Sequence, residues 1–332
     1  MLTLGEVHTG VIQHSGAVTG ELADELLALV GGIAVRRGER PIAYAVSPDV
    51  LTGVDCPLPG RGGRTRVVGT VASRVMITAG RVLQGSAFVR VEPATSGRRL
   101  PWVHYLARPG VAEAIGRLAP DQVSVDAADK DSLDLGAIAT RTMDSVQGST
   151  RLDRGARLKA PRTVLRWIAR TGPGDAGLTF TVSDDLTRVV ELRADGFCAP
   201  DVARFCEDLA LHDWLLTTVV SLVELARVGV VPQARVVARL RPAIDHLLHV
   251  WMPAARVDPD LAEFWTFLDR YPGLTRQWQA TVDRIRDQLA LATINIPDGP
   301  SADGWGDDGT RRRESARRPR QRALAVSRKN RQ

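Results

Sequence analysis

No glycine or proline occurs between Pro200 and Gly229, and that uninterrupted stretch constrains this chain more than anything else in it. Pro200 stands where the first turn of a helix tolerates a missing N–H, so one long helix is expected. Phe205, Leu209, His212, Leu216, Val219 and Val223 recur at alternating steps of four and three, the stripe of a packed helix. Asp213, Thr217, Ser221 and Glu224 form only a narrow polar strip, so the helix should be surrounded by partners.

The residues that follow read as further helices. One begins after Pro232 and is interrupted at Pro242, since an internal proline removes a donor and clashes with the preceding turn. Ile244, Leu247, Leu248 and Trp251 share a face before Pro253. Asp258 caps the next, with Pro259 in its first turn and Leu261, Phe264, Trp265 and Leu268 on its buried side; Tyr271, Pro272 and Gly273 stop it. Leu274, Trp278, Val282, Ile285 and Leu289 stripe the last one. Amphipathic helices joined by short Pro-marked turns predict an antiparallel bundle over roughly 199–291.

The preceding half is β-rich. Residues 1–18 alternate weakly, Thr19 can cap a short helix over 21–30, and 42–46 is extended. Pro48, Pro57, Pro59 and Gly60-Arg61-Gly62-Gly63 mark an exposed loop. Runs 65–71, 74–78 and 81–91 suit an antiparallel meander, with a turn at Ala79-Gly80. Helices are expected over 111–118 and 133–146. Strands are expected over 162–170, 178–182 and 189–192, the last two forming a hairpin. The expected fold is therefore α+β: a β-rich domain with short helices over 1–150, then a small antiparallel sheet packed on a helical bundle over 151–296. Residues 297–332 form a tail too poor in apolar residues to order itself.

Charge is unevenly placed. Residues 311–332 carry +9 and the 332-residue chain carries +6, so residues 1–310 carry the difference, −3. The tail arginines Arg311, Arg312, Arg313, Arg317, Arg318, Arg320 and Arg322 suit an anionic partner, either a nucleic acid or an anionic surface, through counterion release. Without an aromatic residue among 311–332, nucleic-acid contact there should be weak and indifferent to sequence. Cys56, Cys198 and Cys206 form no CxxC pair and leave an odd thiol, which suits a reducing cytoplasm and three small buried side chains. No apolar run approaches the ~20 residues of a membrane span, and no signal peptide is recognisable.

Motifs that assign chemistry are missing: there is no GxxxxGK, GxGxxG, HExxH or GxSxG, and no cofactor is implied. Histidine offers the one sharp site. His212 lies in the stripe of the long helix, and Asp245 and His249 are four apart on the next segment, so the three could hold a divalent metal between helices. His246 lies three residues before His249, but a fourth ligand is not identifiable, a histidine in such a stripe is more often a hydrogen-bonded core residue, and the His246–His249 flank also suits a solvated face. The dipeptide His212-Asp213 alone gives a weaker phosphohydrolase reading. His104, beside Trp102 and Tyr105, suits a packed aromatic turn better than a ligand pocket.

Longer strings carry a resemblance. Residues 39–48 (ERPIAYAVSP), 51–59 (LTGVDCPLP), 99–110 (RLPWVHYLARPG), 206–218 and 240–258 together resemble an uncharacterised actinobacterial family named after a Streptomyces locus. The resemblance spans about residues 1–291. It implies a gene neighbourhood with a variant P-loop protein and a putative methyltransferase, and a cytoplasmic protein partner; it transfers no catalytic residue. The expectation is a non-catalytic subunit or adaptor whose helical half binds partner proteins, with a metal-dependent enzyme or nucleic-acid binding by the tail as alternatives.

Overall fold

β-branched residues crowd residues 66–91, and there the chain forms two long strands around a tight turn. In the computed structural model, which describes residues 2–294 apart from 61–64, 119, 126–130, 157, 172–175, 194 and 227–230, this hairpin is the frame of the sheet. Ala79 and Gly80 both adopt positive φ, 51° and 61°, as the central residues of a tight turn that the Arg81 amide closes onto the Thr78 carbonyl at 3.0 Å.

Ten strands form one mixed sheet. They are β1 (Leu2–Val11), β2 (Arg36–Gly38), β3 (Tyr44–Val46), β4 (Val50–Pro57), β5 (Arg66–Thr78), β6 (Val82–Pro93), β7 (Val111–Ile115), β8 (Thr163–Arg170), β9 (Gly177–Val182) and β10 (Thr187–Arg193). The order is β2-β3-β5-β7-β6-β1-β8-β10-β9, with β4 also paired to β5. β5 and β6 pair from Ala72↔Phe88 to Thr78↔Val82. Beyond that they part and β7 fills the gap, antiparallel to β5 and parallel to β6. β1 joins the halves, pairing antiparallel with both β6 and β8.

The helices are α1 (Gly20–Leu27), α2 (Trp102–Leu106), α3 (Leu135–Gln147), α4 (Ala199–Leu225), α5 (Gln233–His246), α6 (Pro259–Ala262), α7 (Phe264–Arg270) and α8 (Leu274–Ile294). Alternation along the strands divides them between two faces. Leu2, Leu4, Val67, Val71, Ala87 and Val89 pack with Ile138 and Ala139 of α3. That approach needs Gly85, where a Cβ would lie 2.7 Å from the Ala139 carbonyl oxygen. Val7, Val82, Phe88, Leu165, Trp167 and Val190 face the other way, against α4 and the later helices. Met1–Ile294 form one compact unit. No helix among the described residues is long and apolar enough to cross a membrane.

This architecture corrects the expected fold class. The strands over 163–193 are not a separate small sheet, because β8 pairs with β1 and β10 runs parallel to β8 inside the same ten-stranded sheet. Nor do the C-terminal helices make a bundle domain. α4 lies on β1, β6 and β8 with one flank and meets α5, α6 and α8 with the other. An apolar girth reports that a helix is enclosed, not whether helices or strands enclose it. The polar strip has the same explanation: Asp213 and Thr217 are met by Arg188 of β10, at 3.1 and 3.3 Å.

Smaller differences are local. Residues 111–115 are a strand rather than the start of a helix, the runs at 65–71 and 74–78 are one strand, and 50–57, inside the expected Pro-marked loop, is β4, paired along β5. The expected hairpin of β9 with β10 is present, its turn held by the Asp184 carboxylate accepting from the Leu186 and Thr187 amides. Of the three cysteines only Cys206 is buried; Cys198 is exposed and Cys56 partly so. The tail, residues 297–332, and most of the Gly60–Gly63 loop lie outside the described residues.

Candidate functional site

One flank of α4 carries Arg204, Glu207, Asp208 and His212 on successive turns, as steps of three and four require. The sheet beneath presents alternate residues of its strands: Arg74 and Met76 from β5, Gln84 from β6, Tyr44 and Val46 from β3. Arg36 of β2 and residues 256–258, just before α6, complete the walls of a cleft of about 290 Å³. A larger groove of about 790 Å³ adjoins it, sharing Arg36, Arg74 and Arg204 and running past Phe88, Leu51 and Ile33.

A buried ion pair joins floor to wall. Arg74 donates from Nε and Nη2 to the two oxygens of Glu207, both at 2.8 Å, and its ring neighbour is Phe88. Burial works against the Arg74 charge, but the Glu207 carboxylate outweighs it and holds the guanidinium pKa above its ordinary value. Gln84 Nε2 donates to the Glu207 carbonyl at 2.9 Å and to Thr9 Oγ1 at 3.1 Å, so the helix is pinned to β6 and β1 at the same point.

His212 and Asp208 fasten a loop. The histidine Nδ1–H donates to the Asp208 carbonyl at 2.7 Å, which leaves Nε2 to accept the Met252 amide at 3.1 Å. The ring is enclosed edge-on by Trp251 and Trp265. Burial depresses its pKa despite the neighbouring Asp208 charge, so the neutral tautomer is the stable form. One turn earlier, Asp208 Oδ2 accepts the Ala254 amide at 2.8 Å. Ala254 has φ of 62°, a left-handed conformation costly for a residue with a Cβ. The loop held this way puts the Arg256 guanidinium over the Tyr44 ring, 4.9 Å from its centroid.

The sequence-derived metal candidates do not converge. His212 is 1% exposed with both ring nitrogens engaged. Asp245 and His249 are on the surface, and Asp245 Oδ2 accepts from Arg241 Nε at 3.2 Å. Among the described residues no three His, Cys, Asp or Glu side chains are grouped to hold a metal ion. His212 and Asp213 also diverge, the one toward the 251–254 loop and the other toward β10. His104 Nε2 is 2.8 Å from Glu113, a buried carboxylate that also accepts from Arg108. Arg311, Arg312, Arg313, Arg317, Arg318, Arg320 and Arg322 lie outside the described residues.

Sequence reasoning did not single out Arg36, Tyr44, Arg74, Glu207, Asp208 or Arg256. The available signals were an arginine in the apolar run of β5 and two carboxylates on the enclosed part of α4, since buried charges need partners.

A second surface stands out by its apolarity. Trp102, Val103 and Leu106 of α2 are 38%, 79% and 57% exposed, and Leu51 of β4 is 42% exposed. The Trp102 ring lies against β4 at Gly53, and Arg99 stacks over it at 5.4 Å. By contrast Trp214, Trp265 and Trp278 of the helical layer are buried.

No known protein family matches the chain, and no curated protein and no solved structure matches it.

Proposed function

We propose that this chain is a non-catalytic cytoplasmic subunit that holds a protein partner, and that the contact is the apolar band of Leu51, Trp102, Val103 and Leu106. The observation that carries the reading is the composition of that band. It is a cluster of large exposed apolar side chains centred on a tryptophan with an arginine stacked on it, and Trp and Arg dominate binding energy at interfaces. The expectation placed the contact on the helical half. Of its four tryptophans Trp214, Trp265 and Trp278 are buried and the partly buried Trp251 is stacked on Trp278, which favours the β4–α2 surface instead.

The partner this reading names is the variant P-loop protein implied by the family resemblance. Co-purification of the two proteins tests it. Val103→Glu with Leu106→Glu should abolish capture while leaving the thermal midpoint unchanged, since both side chains face solvent. Capture that survives the double substitution removes the band from the interface. Absence of capture by the unaltered chain removes the partner.

A further inference from the structure

We infer that the cleft between α4 and the strands β2, β3, β5 and β6 is a binding site for a small organic anion, a phosphate or carboxylate carrying an apolar body.

Most charged groups of the cleft already have partners. Arg74 is neutralised by Glu207, and Arg204 pairs with Asp201. The Asp258 carboxylate caps α6 by accepting the Asp260 amide. Arg36 and Arg256 remain: both line the cavity, and neither is in an ion pair among the described residues. Two guanidiniums without carboxylates at one opening match a planar or tetrahedral oxyanion, to which each can present two parallel N–H donors. Long-range attraction does not account for them, because residues 1–310 carry −3 overall. Over the lining as a whole Asp208 and Asp258 balance Arg36 and Arg256, so the site selects by where these charges lie and not by a net positive field.

Arg256 is also placed by a structure that costs stability. The loop before it depends on a strained Ala254 and on two buried polar groups, His212 and Asp208, each spending an acceptor on a loop amide. Strain of this kind persists where the surroundings over-determine it and is typical of ligand clamps. The product is an arginine laid on the Tyr44 face in the cavity lining. His212 and Asp208 are thus positioning residues, acting on the ligand through Arg256.

Polarity follows from the rest of the lining. Asp208 is 4% exposed, and its Oδ1 has no hydrogen-bond partner among the described residues. A carboxylate there repels an anion, so the anionic group is placed against Arg36 and Arg256. Val46, Met76, Val257 and the Tyr44 ring supply an apolar surface for the body, and about 290 Å³ suits a molecule of the size of a nucleoside monophosphate or an aryl acid.

The test is calorimetric titration of the full chain, at fixed ionic strength, with two matched pairs: AMP against adenosine, and naphthoate against naphthamide. The expected result is that one anion binds at least tenfold tighter than its neutral counterpart, and the responding pair identifies phosphate or carboxylate as the source. Arg36→Gln with Arg256→Gln should lower that affinity at least tenfold. Arg286→Gln, a surface change on α8, should leave it unaltered. Arg36 is exposed and Arg256 partly so, and equal thermal midpoints without ligand confirm that the variants fold. Anions that bind no tighter than their neutral counterparts, or a double variant that binds like the unaltered chain, overturn the inference; so does an equal loss in Arg286→Gln.

Discussion

Replacing Arg74 by Met should cost about 3–5 kcal/mol, and so should replacing Glu207 by Leu, because each leaves the other charge buried without its partner. The two side chains are only 3% and 5% exposed and share two hydrogen bonds of 2.8 Å, so solvent cannot take over either charge. The two costs should not be equal. With Glu207 gone, Arg74 Nη1 keeps the half-exposed Asp49 at 3.8 Å, which puts Glu207→Leu at the lower end. With Arg74 gone, no cation lies within 4 Å of Glu207 among the described residues, which puts Arg74→Met at the upper end. Independent effects would sum to about 6–10 kcal/mol in the double variant. The double variant should instead lose no more than about 2 kcal/mol, since apolar side chains of similar volume replace a buried pair almost neutrally. Urea unfolding at pH 7, followed by tryptophan fluorescence, measures all four corners of the cycle. Single losses under about 1 kcal/mol, or a double loss equal to the sum, would refute the claim that the pair is buried and coupled.

Two further predictions concern titration. The native pKa of His212 is depressed, so below the ordinary value of 6.5 the unfolded chain takes up a proton that the native state refuses. Stability from this residue is therefore complete above pH 6.5 and is lost as pH falls toward the native pKa, by at most about 1.4 kcal/mol per unit. His212→Leu should remove that slope, and should also cost about 1–3 kcal/mol at pH 7 by stranding the Met252 amide; an unchanged slope in unfolding measured from pH 7 to 5 would show that His212 does not cause it. Asp153 accepts from the Ser15 hydroxyl, the Gly155 amide and the Ser15 amide, which hold its pKa at about 2. Ser15→Ala should return it toward 3.8 in a carboxyl-carbon NMR titration, and a value that stays at about 2 would exclude the hydroxyl as the leading cause.

Local chemistry made much of the chain legible. The start of α4 at Pro200, the Thr19 cap of α1, the Asp258 cap with Pro259 on α6, and the Gly273 stop all depend on groups within a few residues of one another. The Ala79-Gly80 turn and the β9–β10 hairpin were readable for the same reason. Residues 111–115 misled because Val111, Ala112 and Ala114 are short apolar residues compatible with either state. Insertion between β5 and β6 decides for strand, and those partners are far away in sequence.

The cleft was legible only as anomalies. Arg74 in an apolar strand, and Glu207 and Asp208 within an enclosed helix, signal that partners must exist, but 133 residues separate Arg74 from Glu207. His212 was singled out for its chemistry and proved to be a fastening for residues 252–254.

What the amino-acid order determined by itself, then, is where the capped helices and the turn-marked hairpins lie, since caps, turns and periodicity act over one or two turns of chain. Only the tertiary structure decided that β1 joins both halves into one sheet, that α4 lies on strands instead of at the centre of a bundle, and that Arg36 and Arg256 line one cleft. Burial specifies that a surface is covered and leaves open by what, and strand pairing between residues 2–11 and 163–170 has no local signature at all.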